Sequence, residues 1–137
     1  MKLVAVNRAR AAWRNIDGRR VLTAIGKQPV HGPVAVGPTG LDGDEQADLS
    51  VHGGISKAVY LYPSEHHRFW QTVRAQARVS LWDEALPPGA FGENLLTEGL
   101  TEDRLWVGDR LQLPGCVLVV SEPRFPCFKF AAAMGFA

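Results

Sequence analysis

Backbone punctuation constrains this chain more than any other feature. Of its 137 residues, 14 are glycine and 9 are proline, about a sixth of the whole. In a helix interior glycine costs about 1 kcal/mol and proline about 3 kcal/mol relative to alanine. So dense a distribution favours short strands joined by turns over a helical bundle. The length suits one domain and is too short for two of ordinary size. A chain this long hides roughly two-thirds of its unfolded surface, so it needs neither disulfide nor metal merely to stay folded. With 46% hydrophobic and 21% charged residues, the composition is that of a packed domain and excludes disorder.

The charge balance removes one functional class. Fifteen basic against fourteen acidic residues leave a net charge of +1, too little for the sequence-independent phosphate attraction on which general nucleic-acid binders depend. Two cysteines, Cys116 and Cys127, make no secreted disulfide framework and lack the paired spacing of a zinc site. The first residues show no secretory signal pattern. The longest apolar run, Cys116 to Val120, is far short of a membrane span. The expected setting is therefore the reducing cytoplasm, without membrane or nucleic-acid partner.

Along the chain, strands are expected at Leu3–Val6, Val21–Ile25, Val34–Val36 and Ala58–Tyr62, the last stopped by Pro63. A helix follows, capped by Ser64, with Phe69, Trp70, Val73 and Ala77 on one side. His66, His67, Arg68, Arg74 and Arg78 are expected in solvent. Leu95-Leu96 resumes as a strand. Leu105–Val107 and Arg110–Leu113 read as a pair around Gly108-Asp109, and Val117–Val120 as a strand buried on both faces. The loop Glu122–Pro126 is irregular and stiff, and a helix can begin at Cys127. Trp70 and Trp106 are read as core; Trp13 and Trp82 remain as possible stacking surfaces for a flat ligand. The expected class is a single mainly β domain with one or two helices and a barrel-like closure of short strands.

Several positions can carry chemistry. Cys127 follows Pro126 and lies between Arg124 and Lys129, a setting that favours the thiolate, the form that attacks substrates and ligates metals. Equally, a free cysteine at a helix start can be a small buried hydrophobe. Cys116, with no neighbouring cation, reads as structural. Val51-His-Gly-Gly-Ile-Ser-Lys57 can gather backbone N–H groups around an anion, with Lys57 completing a cradle, or can simply be a turn. Asp44, Asp48 and His52 recur at four-residue intervals, but the flanking Gly43 and Gly53-Gly54 argue against the helix that would bring them together on a metal. Phe91-Gly-Glu-Asn94 can hydrogen-bond a heterocycle or cap a turn.

The ordered set is more specific than its parts. Gly43-Asp-Glu-Gln-Ala-Asp48, Val51-His-Gly-Gly54 with Lys57–Pro63, Phe91-Gly-Glu-Asn-Leu95, Val107-Gly-Asp109 and Glu122-Pro-Arg-Phe-Pro-Cys-Phe-Lys129 together resemble a MOSC domain. The resemblance runs from about Val21 to Lys129. It is strongest to the stand-alone bacterial branch that confers resistance to 6-N-hydroxylaminopurine. It implies a strand-rich, barrel-like fold and a pocket for a molybdopterin-type molybdenum cofactor. By the same resemblance Cys127 is the metal ligand and catalytic residue, and Gly92 and Asn94 help form the pocket. Arg124, Lys129, Lys57 and the turn His52-Gly53-Gly54 would hold the cofactor's anionic groups. The implied activity is reduction of N-hydroxylated small molecules to amines, with electrons from a separate donor protein. The alternatives within the fold are a cysteine-persulfide sulfur carrier and a non-catalytic cofactor-handover module. Family members continue past the cysteine motif, so this single domain, residues 1–137, is expected to lack its closing piece and to be open to pairing as a homodimer.

Overall fold

The computed structural model describes residues 1–136. The chain opens with strand β1 (Lys2–Arg8) and then a hairpin of β2 (Ala12–Ile16) and β3 (Arg19–Thr23). Asp17 and Gly18 join that hairpin with φ of 49° and 70°, the left-handed pair a tight two-residue hairpin loop requires. Short pairing segments follow at β4 (Gln28–Pro29), β5 (Val36–Gly37) and β6 (Gly40–Leu41). Then come β7 (Leu61–Pro63), helix α1 (His67–Gln76), β8 (Leu95–Glu98), β9 (Arg110–Leu113), β10 (Cys116–Val119) and helix α2 (Phe128–Met134).

One four-stranded sheet, in the order β4-β1-β8-β7, organises the molecule. β1 is antiparallel to β4 and β8, and β7 runs parallel to β8. The remaining strands form three two-stranded ribbons, β2–β3, β5–β6 and β9–β10. The mainly β class with two helices is what forms, but among the described residues the strands do not close into a barrel. β8 is central in the sheet, and Leu95, Leu96 and Thr97 are buried along it. Beside the sheet, Leu86, Phe91 and Met134 form a small core against which Tyr62, Trp70, Ala90 and Phe130 pack. Phe91 stacks on Tyr62 at 4.3 Å and on Phe130 at 5.6 Å between ring centroids. α2 therefore anchors by its far residues, and Gly135 (φ 84°) ends it, with Phe136 N–H on the Ala131 carbonyl at 2.9 Å. Anchored this way, α2 fixes where Cys127, just before it, must lie.

Several expectations are corrected. α1 starts at His67, after a 3₁₀ turn at Ser64–His66, and Ser64 makes no capping bond. Trp70 packs inward as expected, whereas Phe69 is exposed. Arg74 is tucked in, donating to the Met134 carbonyl (3.1 Å) and to Glu84 (3.2 Å). His67 is half-buried against Phe91, and burial lowers its pKa below the usual histidine value. Leu105–Val107 forms no strand. Arg110–Leu113 pairs instead with Cys116–Val119 around Pro114-Gly115, where Gly115 supplies φ 82°. β10 has one wet face, with Val117 40% and Val119 57% exposed. Trp106, 77% exposed, is not core. The strand expected at Ala58–Tyr62 lies at Leu61–Pro63; Pro63 completes it without breaking the ladder because β7 is an edge. Of Val34–Val36 only Val36 pairs.

Candidate functional site

The residues entering β8, the segment after β3, the loop after β6, the His52–Lys57 segment and the residues before and in α2 converge on one cleft. Its cavity volume is about 80 Å³, and it opens to solvent at its mouth.

Its floor is a buried hydrogen-bond network. The Asn94 side-chain oxygen accepts from the Tyr60 N–H (3.1 Å). Its amide nitrogen donates to the Asn7 carbonyl (3.2 Å) and to Asp44 Oδ2 (2.9 Å), which uses both amide hydrogens. Asp44 Oδ1 accepts from the Ala9 N–H (2.9 Å) and from the Lys27 ammonium. The Asp44 side chain is 1% exposed and that of Lys27 7%. Next to Asn94, fully buried Glu93 accepts from the N–H groups of Gly89 (2.6 Å) and Phe91 (3.0 Å). Burial nonetheless pushes its pKa up, outweighing those bonds. Gly92 has φ 76°, and a Cβ there would come within 2.9 Å of Ile25 Cγ1. Only glycine lets this loop lie against the segment after β3.

The rim is different. Cys127 is half-buried at the start of α2. The Arg124 guanidinium lies 5.3 Å over the Tyr60 ring and, among the described residues, has no hydrogen-bonding acceptor. Lys129 donates to the Leu22 carbonyl at 3.2 Å. Lys57 donates to the Val51 carbonyl at 3.0 Å and stands 3.8 Å from Glu122. His52 Nδ1 is buried and, among the described residues, has no partner. Desolvation first, then the charges of Arg124 and Lys129, keep the His52 pKa below its usual value and favour the neutral ring. Burial likewise raises the Tyr60 pKa.

Of the residues singled out in the sequence, Cys127, Arg124, Lys129, Asn94, Gly92, His52 and Lys57 meet in this cleft. Gly53 and Gly54 do not line it. A Cβ on Gly53 would overlap Leu49, and Gly54 takes φ 79° to turn the chain into the 3₁₀ turn Ile55–Lys57. They shape the approach of Lys57. Asn94 builds the floor with its amide rather than offering both hydrogens to a ligand. Asp44, Asp48 and His52 do not form a metal cluster: Asp44 turns to Lys27, and Asp48 accepts from the Ser50 N–H at 3.0 Å. Among the described residues no three His, Cys, Asp or Glu side chains gather as metal ligands. Lys27 and Tyr60 had no local sequence signal, since both gain their role from long-range burial.

These residues belong to a recognisable pattern. A family profile described as the MOSC domain matches residues 48–137. The chain belongs to the MOSC family. It is 38% identical over 133 residues to the uncharacterized protein YflK of Bacillus subtilis (strain 168), covering 97% of this chain and 57% of that protein. It is 41% identical over 113 residues to a protein named Reductase from Gibberella moniliformis (strain M3125 / FGSC 7600), covering 82% of this chain and 19% of that one. The crystal structure of YiiM from Geobacillus stearothermophilus superposes with a TM-score of 0.71 at 32% identity, covering 98% of this chain and 57% of that chain. The MOSC chain thus spans a little over half the length of YflK and of this YiiM. Among its described residues no helix is long and apolar enough to cross a membrane.

Proposed function

We propose that this MOSC chain binds a molybdopterin-type molybdenum cofactor in the cleft and reduces N-hydroxylated small molecules to amines. One observation carries the proposal: a thiol and several underused cationic donors converge on the same cleft of a MOSC domain. The donor set fits the group. A single soft thiolate, Cys127, suits a metal that arrives already chelated by its own sulfurs. Among the described residues, Arg124 without an acceptor, Lys129 tied only to a backbone carbonyl, Lys57 held by a carbonyl and loosely by Glu122, and the orphaned His52 Nδ1 suit an anionic phosphate. Each charge-assisted hydrogen bond contributes about 1.5–3 kcal/mol.

When bound, the cofactor supplies the two-electron redox chemistry. The chain does the rest. Cys127 would ligate the metal, Arg124 stacked on Tyr60 would present its guanidinium to the cofactor's anionic end, and Gly92 and Asn94 keep the floor rigid beneath it. Electrons would come from a separate donor protein, and a homodimer is the partner arrangement we favour. The name of the fungal relative supports an oxidoreductase.

The test is metal and pterin analysis of wild type beside Cys127→Ala, with reduction of 6-N-hydroxylaminopurine assayed in parallel. The proposal expects molybdenum and turnover in wild type and loss of both in the variant. Persulfide sulfur on Cys127 without molybdenum would instead make the chain a sulfur carrier. Bound cofactor without turnover, given a competent electron donor, would make it a handover module.

A further inference from the structure

Lys27 stands apart from the other cations of the cleft. Arg124 is exposed and Lys57 and Lys129 are half-exposed, whereas Lys27 is the one buried cation among the described residues. A buried ammonium is strongly disfavoured unless it is paired. Asp44 supplies the counter-charge and is itself held by the Ala9 N–H and the Asn94 amide. An ammonium has three hydrogens to donate. Asp44 accepts one, and no other acceptor reaches Lys27 among the described residues. Lys27 and Asp44 line the same cleft as Cys127, so the remaining N–H groups are left for an acceptor inside it.

We propose that Lys27 binds the oxygen of the substrate's N–O bond and supplies the proton with which that oxygen ends as water. The proposal deepens the reductase reading and rests on it. In the balanced reaction the N-hydroxylated amine takes up two electrons and two protons, its N–O bond breaks, and amine and water form. The electrons come from an external electron-transfer protein, or from reduced methyl viologen in vitro. Lys27 gives one proton to the oxygen, solvent gives the other to the nitrogen, and Lys27 regains its proton from water at the open mouth. Asp44 holds the lysine in place throughout. A positioned proton donor of this kind contributes roughly 10²–10⁴-fold in rate.

The test compares two ligands that differ by the one oxygen. Calorimetric affinities of the molybdenum-loaded protein for 6-N-hydroxylaminopurine and for adenine are expected to favour the N-hydroxy base by about tenfold or more. Lys27→Met combined with Asp44→Asn removes both charges together and leaves neither buried alone. This double variant is expected to keep its circular dichroism and molybdenum content, lose the preference, and lower kcat about 10²-fold or more with a smaller change in KM. A measurement that needs no variant supports the same point: the Nζ resonance of Lys27 in ¹⁵N-lysine-labelled wild type shifts with the N-hydroxy base and not with adenine. No preference in wild type, a preference kept by the folded double variant, or an unmoved Lys27 resonance overturns the assignment. A preference that depends on Lys27, with no reduction of the N-hydroxy base by reduced viologen, overturns the reductase reading and leaves Lys27 as the contact to the N–O oxygen.

Discussion

The floor and the rim of one cleft are built on opposite plans. On the floor, Asn7, Lys27, Asp44, Glu93 and Asn94 are buried and tied to one another or to backbone from four separate segments. On the rim, His52, Lys57, Arg124, Cys127 and Lys129 are more open and make few bonds. Buried polar groups must be satisfied within the protein, because an unpaired one costs its full desolvation. Exposed ones need not be. The difference separates residues that mainly hold the molecule together from residues left available to a ligand, with Lys27, which has N–H groups to spare, belonging to both. Floor substitutions that break a buried pair should therefore act on stability and rim substitutions on binding.

The largest expected effect is Asp44→Ala, which strands the Lys27 ammonium and removes the acceptor of Ala9 and Asn94. Loss of one partner of a buried pair costs about 3–5 kcal/mol, and urea unfolding should show it. Stability within about 1 kcal/mol of wild type would mean the pair is not sequestered. Gly92→Ala comes next, at about 1–3 kcal/mol, since a left-handed φ and the Ile25 contact both oppose a Cβ; thermal melting of the variant measures it.

Glu93 gives a smaller effect with a definite sign. Burial raises its folded-state pKa above the ordinary value of 4.5. The folded state therefore holds the proton more firmly, and its contribution to stability, complete below 4.5, is lost as pH rises through the raised value. Stability measured against pH should show Glu93→Gln gaining on wild type across that window. A constant difference would contradict the assignment. Smallest of all on stability, Arg124→Ala should stay within about 0.5 kcal/mol. It should nevertheless weaken pyrophosphate binding about tenfold, the loss of one charge-assisted contact. A destabilised Arg124→Ala with unchanged pyrophosphate affinity would erase the contrast between floor and rim.

Much of the rim was legible in the sequence because its residues cluster in short motifs: Pro123–Lys129 carries three of them, and His52 and Lys57 share a turn. The floor was not, since Lys27 meets Asp44 and Asp44 meets Asn94 only once β1, β3 and β8 are assembled. Asp44 was visible as a ligand-type side chain, but its true partner lies 17 positions upstream. In the fold, the overlooked β2 had a clear signal, Asp17-Gly18 between two strand-like runs. Two turns compete for β9, Gly108-Asp109 and Pro114-Gly115, and the chain folds back at the second. The apolar run at β10 suggests burial on both faces, yet side chains alternate on any strand, and here the face carrying Val117 and Val119 is exposed.

The most direct test of the central claim is molybdenum K-edge X-ray absorption on the loaded protein, comparing wild type with Cys127→Ser, whose side-chain oxygen can hold the metal in place of sulfur. The account predicts that wild type shows one more sulfur in the metal's nearest shell than the variant. Identical sulfur shells in the two proteins would contradict it.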